Sequence, residues 1–180
     1  MLTIVWILAG SSFAAFLFIA AGRPGRRNRS VEILQSQIWS IDLAAFQNLS
    51  DRSNDQFLRH RLSAAAFRKA QHLRARAMMS YLLAVGHNAA IFIRMGEMAK
   101  QSSDRQVAEA GQLLIDTALQ TRILVLRIYP RLLALWLLPT LASVDFGPII
   151  SRYDLLMGEL TQLLRLQRST AASAAFAATS

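Results

Sequence analysis

The chain of 180 residues contains no cysteine. That absence removes disulfide staples, thiolate nucleophiles, iron–sulfur ligation and cysteine-bound zinc together. Acid is scarce as well, with 11 Asp and Glu set against 20 Lys and Arg, so the net charge is +9. The 4 prolines and 8 glycines are too few for a collagen-like or Pro/Gly-rich disordered chain. Strand signals are missing: there is no sustained period-2 run and no Asn-Gly or Asp-Gly hairpin turn. Also missing are a phosphate-binding glycine loop and a G-x-S-x-G nucleophile elbow.

What is present begins with residues 2–22, LTIVWILAGSSFAAFLFIAAG, a run of 21 without a charge. As a helix rising 1.5 Å per residue it measures about 30 Å, the thickness of a bilayer's hydrocarbon layer. Arg23, Arg26, Arg27 and Arg29 follow at once, and nothing basic precedes it. The positive-inside rule then places the following chain in the cytoplasm. A cleaved signal peptide has the opposite order, a basic segment ahead of the apolar one. The expectation is an uncleaved single-pass anchor in a bacterial-type inner membrane, N-terminus outside.

The remainder reads as all-α. Ser30 precedes a stripe at Val31, Leu34, Ile38, Ile41 and Ala45, spaced for one helix face. Trp39, Leu43 and Phe46 make a second stripe, which gives the same helix a side for a partner helix. Ser53-x-x-Gln56 and Ser103-x-x-Gln106 have capping-box spacing, and the residues between them read as nearly continuous helix, with Gly86-His87-Asn88 a possible turn. Another helix runs from Ser103 to Tyr129, where Pro130 is expected to kink or end it. Helix resumes over 131–142, and the loop Asp145-Phe146-Gly147-Pro148 sets proline in the first turn of a last amphipathic helix. Its apolar face holds Ile149, Ile150, Tyr153, Leu156, Met157, Leu160, Leu163 and Leu164. The expected organisation is an anchor at 1–22, a basic linker at 23–29, an antiparallel bundle of four to five helices at 30–168, and a frayed Ala/Ser-rich tail at 169–180. Two further apolar stretches, 77–93 and 132–150, are short or polar for spans and read as core helices.

The charge is uneven. Residues 23–29 carry +4 and residues 30–55 sum to −3, while residues 56–96 hold Arg59, Arg61, Arg68, Lys69, Arg74, Arg76 and Arg94 with no acid. Such a stretch beside a membrane attracts anionic headgroups, at about 1 kcal/mol per basic residue near the surface. The candidate lipid or anionic-partner residues are therefore Arg23, Arg26, Arg27, Arg29, Arg59, Arg61, Arg68, Lys69, Arg74 and Arg76. Trp136, with Arg127 and Arg131, suits a second, interfacial contact over 131–142. On one continuous helix the basic residues of 59–76 scatter around the axis. No aromatic alternation accompanies them, so nucleic acid is the weaker partner.

The search for chemistry finds little. His60, His72 and His87 do not converge on one helix, and none has a His or carboxylate partner at i+3 or i+4. His87 alone lies in an apolar setting, which makes it the one candidate ligand, in a site with Tyr81, Arg94 and Trp136. Asp116, if buried, would pair with Arg94 or Arg127 as a structural salt bridge. No cofactor or metal is called for. The expected function is a non-enzymatic, membrane-anchored accessory or scaffold subunit that docks partners through apolar helix faces. The alternatives are a ligand- or cofactor-binding bundle and a membrane-tethered nucleic-acid binder.

Overall fold

The computed structural model describes residues 31–51, 53–137 and 144–179. The proposed anchor at 1–22 and the arginines at 23–29 lie outside the described residues, as do 138–142 of the interfacial candidate. Among the described residues the fold is all-α, and no helix is long and apolar enough to cross a membrane.

Six helices are described: α1 (Val31–Gln35), α2 (Leu43–Ser50), α3 (Ser53–Arg61), α4 (Ala64–Ala99), α5 (Arg105–Leu137) and α6 (Gly147–Thr179). Where a bundle of four to five helices was expected, the described residues form three long helices and three short ones. Helices α4, α5 and α6 run up, down and up. The central α5 packs on both neighbours, while α4 and α6 touch little and leave a groove between them. The segment 31–50 fills it. Leu34 and Phe46 enter a core shared with Leu82, Val85 and Phe92 of α4, Leu114, Val125 and Leu132 of α5, and Ile149, Leu156 and Leu163 of α6.

Helices α4 and α5 approach closely at Gly96 and Gly111. A Cβ built on Gly96 would stand 2.6 Å from the Gly111 carbonyl, and one on Gly111 would stand 2.8 Å from the Gly96 carbonyl. Backbone meets backbone here, and only glycine fits. On α6 the expected apolar face is seen: Ile149, Tyr153, Leu156, Leu160 and Leu163 are buried, with Ile150, Met157 and Leu164 packed beside them.

Several expectations are corrected. The stripe from Val31 to Ala45 is not one helix, because the chain leaves helix after Gln35 and re-enters at Leu43. Asp42 caps the second piece, accepting from the Ala45 N–H at 2.9 Å. A second break falls at Leu62-Ser63, where the Ser63 hydroxyl caps α4 by accepting from Ala66 N–H at 3.3 Å. Gly86-His87-Asn88 forms no turn and lies inside α4. Helix α5 passes through Pro130 to Leu137; proline removes one N–H, and buried Ile128 and Leu132 hold the turns on either side.

Both presumed capping boxes shift by one or two residues to an aspartate. The Ser53 hydroxyl and N–H donate to Asp51, at 2.8 and 2.9 Å. Asp104 accepts from the Gln106 N–H at 2.9 Å. The tail continues as helix to Thr179, and the Thr170 hydroxyl donates to Asp104 at 2.8 Å. Asp116 is exposed and takes its bond from Gln112 of its own helix at 2.9 Å, so no buried charge there requires a partner.

Candidate functional site

The Asn88 side-chain amide, on α4, is fully buried. Its oxygen accepts from the Trp39 N–H at 2.9 Å, and its nitrogen donates to the Trp39 carbonyl at 2.8 Å. The same nitrogen donates to the Tyr153 hydroxyl of α6 at 2.7 Å. A backbone outside helix lacks the helix's own partners for its N–H and C=O, and the amide supplies both at one residue. Asn88 thus joins α4, α6 and the non-helical segment around Trp39 in one network. Burial raises the Tyr153 hydroxyl above its ordinary pKa, and the Asn88 bond opposes that rise.

His87 works beside it. Its Nε2 donates to the Gln37 carbonyl at 3.2 Å, and its ring stacks on Trp39 with centroids 4.3 Å apart. Further along, Tyr81 stacks on Phe46 at 5.0 Å. The Arg74 guanidinium donates to the Leu49 and Asp51 carbonyls, placing a cation at the C-terminal end of α2, where the helix dipole favours one. Residues 37, 39, 46 and 49–51 therefore meet 87, 88, 81 and 74 in turn: the segment runs antiparallel to α4.

The sequence-predicted ligand site is thus taken up by the fold. Tyr81 and His87 bind the 37–46 segment, and Arg94 lies two turns beyond His87, near Arg122. Burial first, and the charge of Arg94 second, lower the Arg122 guanidinium from its ordinary pKa. Trp136 falls outside the described side chains. Among the described residues no group of three or more His, Asp or Glu could hold a metal ion.

The expected partner-helix stripe is dispersed. Phe46 is in the core, Leu43 is half-buried, and Trp39 stands outside any helix and is 52% exposed. Of the basic candidates, Arg59 and Arg61 are exposed on α3, and Arg68, Lys69 and Arg76 are exposed on α4. Arg61 sits over the exposed Phe57 ring at 5.3 Å. Arg74 turns inward to the carbonyls at the end of α2.

The expected candidate was His87, whereas the buried hub is its neighbour Asn88, a polar residue that needs a partner in this apolar stretch. An amide in an otherwise apolar helix turn was the available signal, because such a group must be hydrogen-bonded when buried.

A polar seam joins α5 and α6. The Thr117 hydroxyl donates to Glu159 Oε1 at 2.9 Å, and Arg152 donates to Gln120 at 2.6 Å. Glu159 Oε2 is buried without a hydrogen-bond partner among the described residues. Burial raises the Glu159 carboxyl above its ordinary pKa, while the Thr117 bond and Arg152 oppose the rise and Asp116 adds to it.

No family model, curated protein or solved structure matches the chain.

Proposed function

We propose that the chain is a non-enzymatic, membrane-anchored helical protein, an accessory or scaffold subunit of a bacterial-type inner-membrane assembly. The observation that carries this reading is the uncharged run at 2–22 with four arginines directly behind it. In this reading the run is the anchor, its N-terminal end faces outward, and the helical body lies on the cytoplasmic side. The acid-free stretch 56–96 is drawn to anionic headgroups.

The scaffold part is supported by how the 31–51 segment is held. Asn88, His87 and Arg74 bond it to α4, and Tyr153 ties Asn88 to α6. Function then rests on placement: a tether raises the effective concentration of whatever the body's surfaces dock, with no new contact needed.

The test is fractionation of the full chain followed by gentle purification. Retention in membranes after an alkaline carbonate wash, with a stoichiometric partner co-purifying in mild detergent, supports the reading. Release into the wash removes the anchor, and a lone monomer with nothing cross-linked in native membranes removes the scaffold.

A further inference from the structure

Resting on the anchored reading, we infer that the body lies flat on an anionic bilayer, with the outward side of α4 and the Trp39 indole forming the lipid-contacting face. At about 100° per residue, Lys69, Leu73, Arg76, Leu83, His87 and Arg94 fall within about 80° of one another around α4. Much of the scatter expected of the basic residues came from placing Arg59, Arg61 and Arg74 on the same helix. Arg59 and Arg61 belong to α3, and Arg74 points to α2. Arg68 lies on α4 but about 100° from Lys69, outside this row.

Along this row two large apolar side chains stand in solvent, Leu73 at 59% and Leu83 at 38% exposure. At His87 the row is roofed by the indole of the half-exposed Trp39. Exposed basic residues accompany the apolar ones: Lys69 and Arg76 lie on either side of Leu73, and Arg76 lies two turns before Leu83. No acid occurs on α4 before Glu97. Leucine and tryptophan set between Lys and Arg on an acid-free face is the chemistry of an in-plane interfacial contact, with apolar groups in the headgroup layer and cations on the phosphates.

The route of the chain points the same way. Segment 31–51 runs antiparallel to α4, so Val31 enters near the Arg94 end, and Lys69 lies about 38 Å away along the helix. The residues between the apolar run and Val31 reach at most about 28 Å even when extended. A body standing upright on that attachment would hold Lys69 and Arg76 several Debye lengths from the headgroups, where a charge of this size is screened. Lying along α4 brings both ends of the row to the surface.

Because the chain has no cysteine, single spin labels test this directly. Full-length Leu73→Cys, Leu83→Cys and Leu113→Cys are each labelled and reconstituted into vesicles of phosphatidylcholine with phosphatidylglycerol, or of phosphatidylcholine alone. Leu113 is an exposed leucine of α5. In the anionic vesicles, labels at 73 and 83 are expected to shift from collisions with a water-soluble nickel chelate to collisions with oxygen. The label at 113 stays chelate-dominated. Adding Lys69→Glu with Arg76→Glu returns both labels to water.

Labels at 73 and 83 that remain chelate-accessible on co-floating protein overturn the inference. So does equal immersion of all three, or shielding that appears only when duplex DNA or an acidic protein is added. Protein that fails to float with either vesicle overturns the anchored reading itself, a separate result.

Discussion

Removing the Asn88 amide is the sharpest perturbation of this fold. Asn88→Ala deletes three hydrogen bonds, two to the Trp39 backbone and one to Tyr153. The Trp39 groups are only partly buried and find water once the segment loosens. The Tyr153 hydroxyl is buried and is left without that partner. At about 1 kcal/mol net per bond, with the larger cost for a stranded buried group, the loss is about 2–4 kcal/mol. Against a total of about 5–15 kcal/mol that is a large share. For a chain of this size it lowers Tm by roughly 5–15 °C.

Tyr153→Phe removes only the third bond and should cost about 1 kcal/mol. Thermal unfolding of the full chain in mild detergent measures both variants. Hydrogen exchange at residues 37–41 then separates local release from global loss, because Asn88→Ala should speed exchange there more than in α5. Refutation would be Asn88→Ala melting with the parent and exchanging no faster at 37–41. The amide would then add nothing to a segment already held by Leu34 and Phe46 in the core and by His87 and Arg74.

Other consequences are simpler to state. Gly96→Ala or Gly111→Ala drives a methyl into the facing backbone carbonyl. Each should cost about 1–3 kcal/mol by overpacking, read as a lower denaturation midpoint. The Asp104 carboxyl is held below its ordinary pKa, first by the Thr170 hydroxyl and then by the Gln106 N–H. Its contribution is therefore present above the ordinary carboxylate range and is lost as pH falls through the depressed value. Asp104→Asn should flatten the acid limb of a stability–pH curve. Glu159 has the opposite sign: its raised pKa means stability falls as pH rises from the ordinary carboxylate range through the higher folded value. Glu159→Gln should stabilise at neutral pH and do little in acid; destabilisation at neutral pH would show that the carboxylate is not strained by burial.

The helical class, the loop before Pro148 and the buried face of α6 were legible because each is written locally, as apolar periodicity and turn chemistry. The Val31–Ala45 stripe misled because its spacing is helical while its conformation is decided elsewhere. Ile38 and Ile41 pack against the core, but Trp39 between them is fixed by a residue 49 positions later. Asp42 was the visible hint, since aspartate favours N-caps over helix interiors. The basic face of α4 was hidden for a related reason. Without the Leu62-Ser63 break, residues of two helices were placed on one wheel, and only Arg74's inward turn separates the α4 surface from its structural cation.

One amide therefore governs more than stability. Asn88 holds both polar groups of Trp39, and with the backbone fixed there Ile38 and Ile41 pack against the core while the indole lies on His87. The apolar element nearest the point where the chain enters the body is thus oriented from within the core. If the α4 side is the lipid-facing one, Asn88→Ala should weaken that contact without touching a single surface charge. A label at Leu83 that stays immersed in anionic vesicles, while residues 37–41 exchange freely, would show that Trp39 contributes nothing to it.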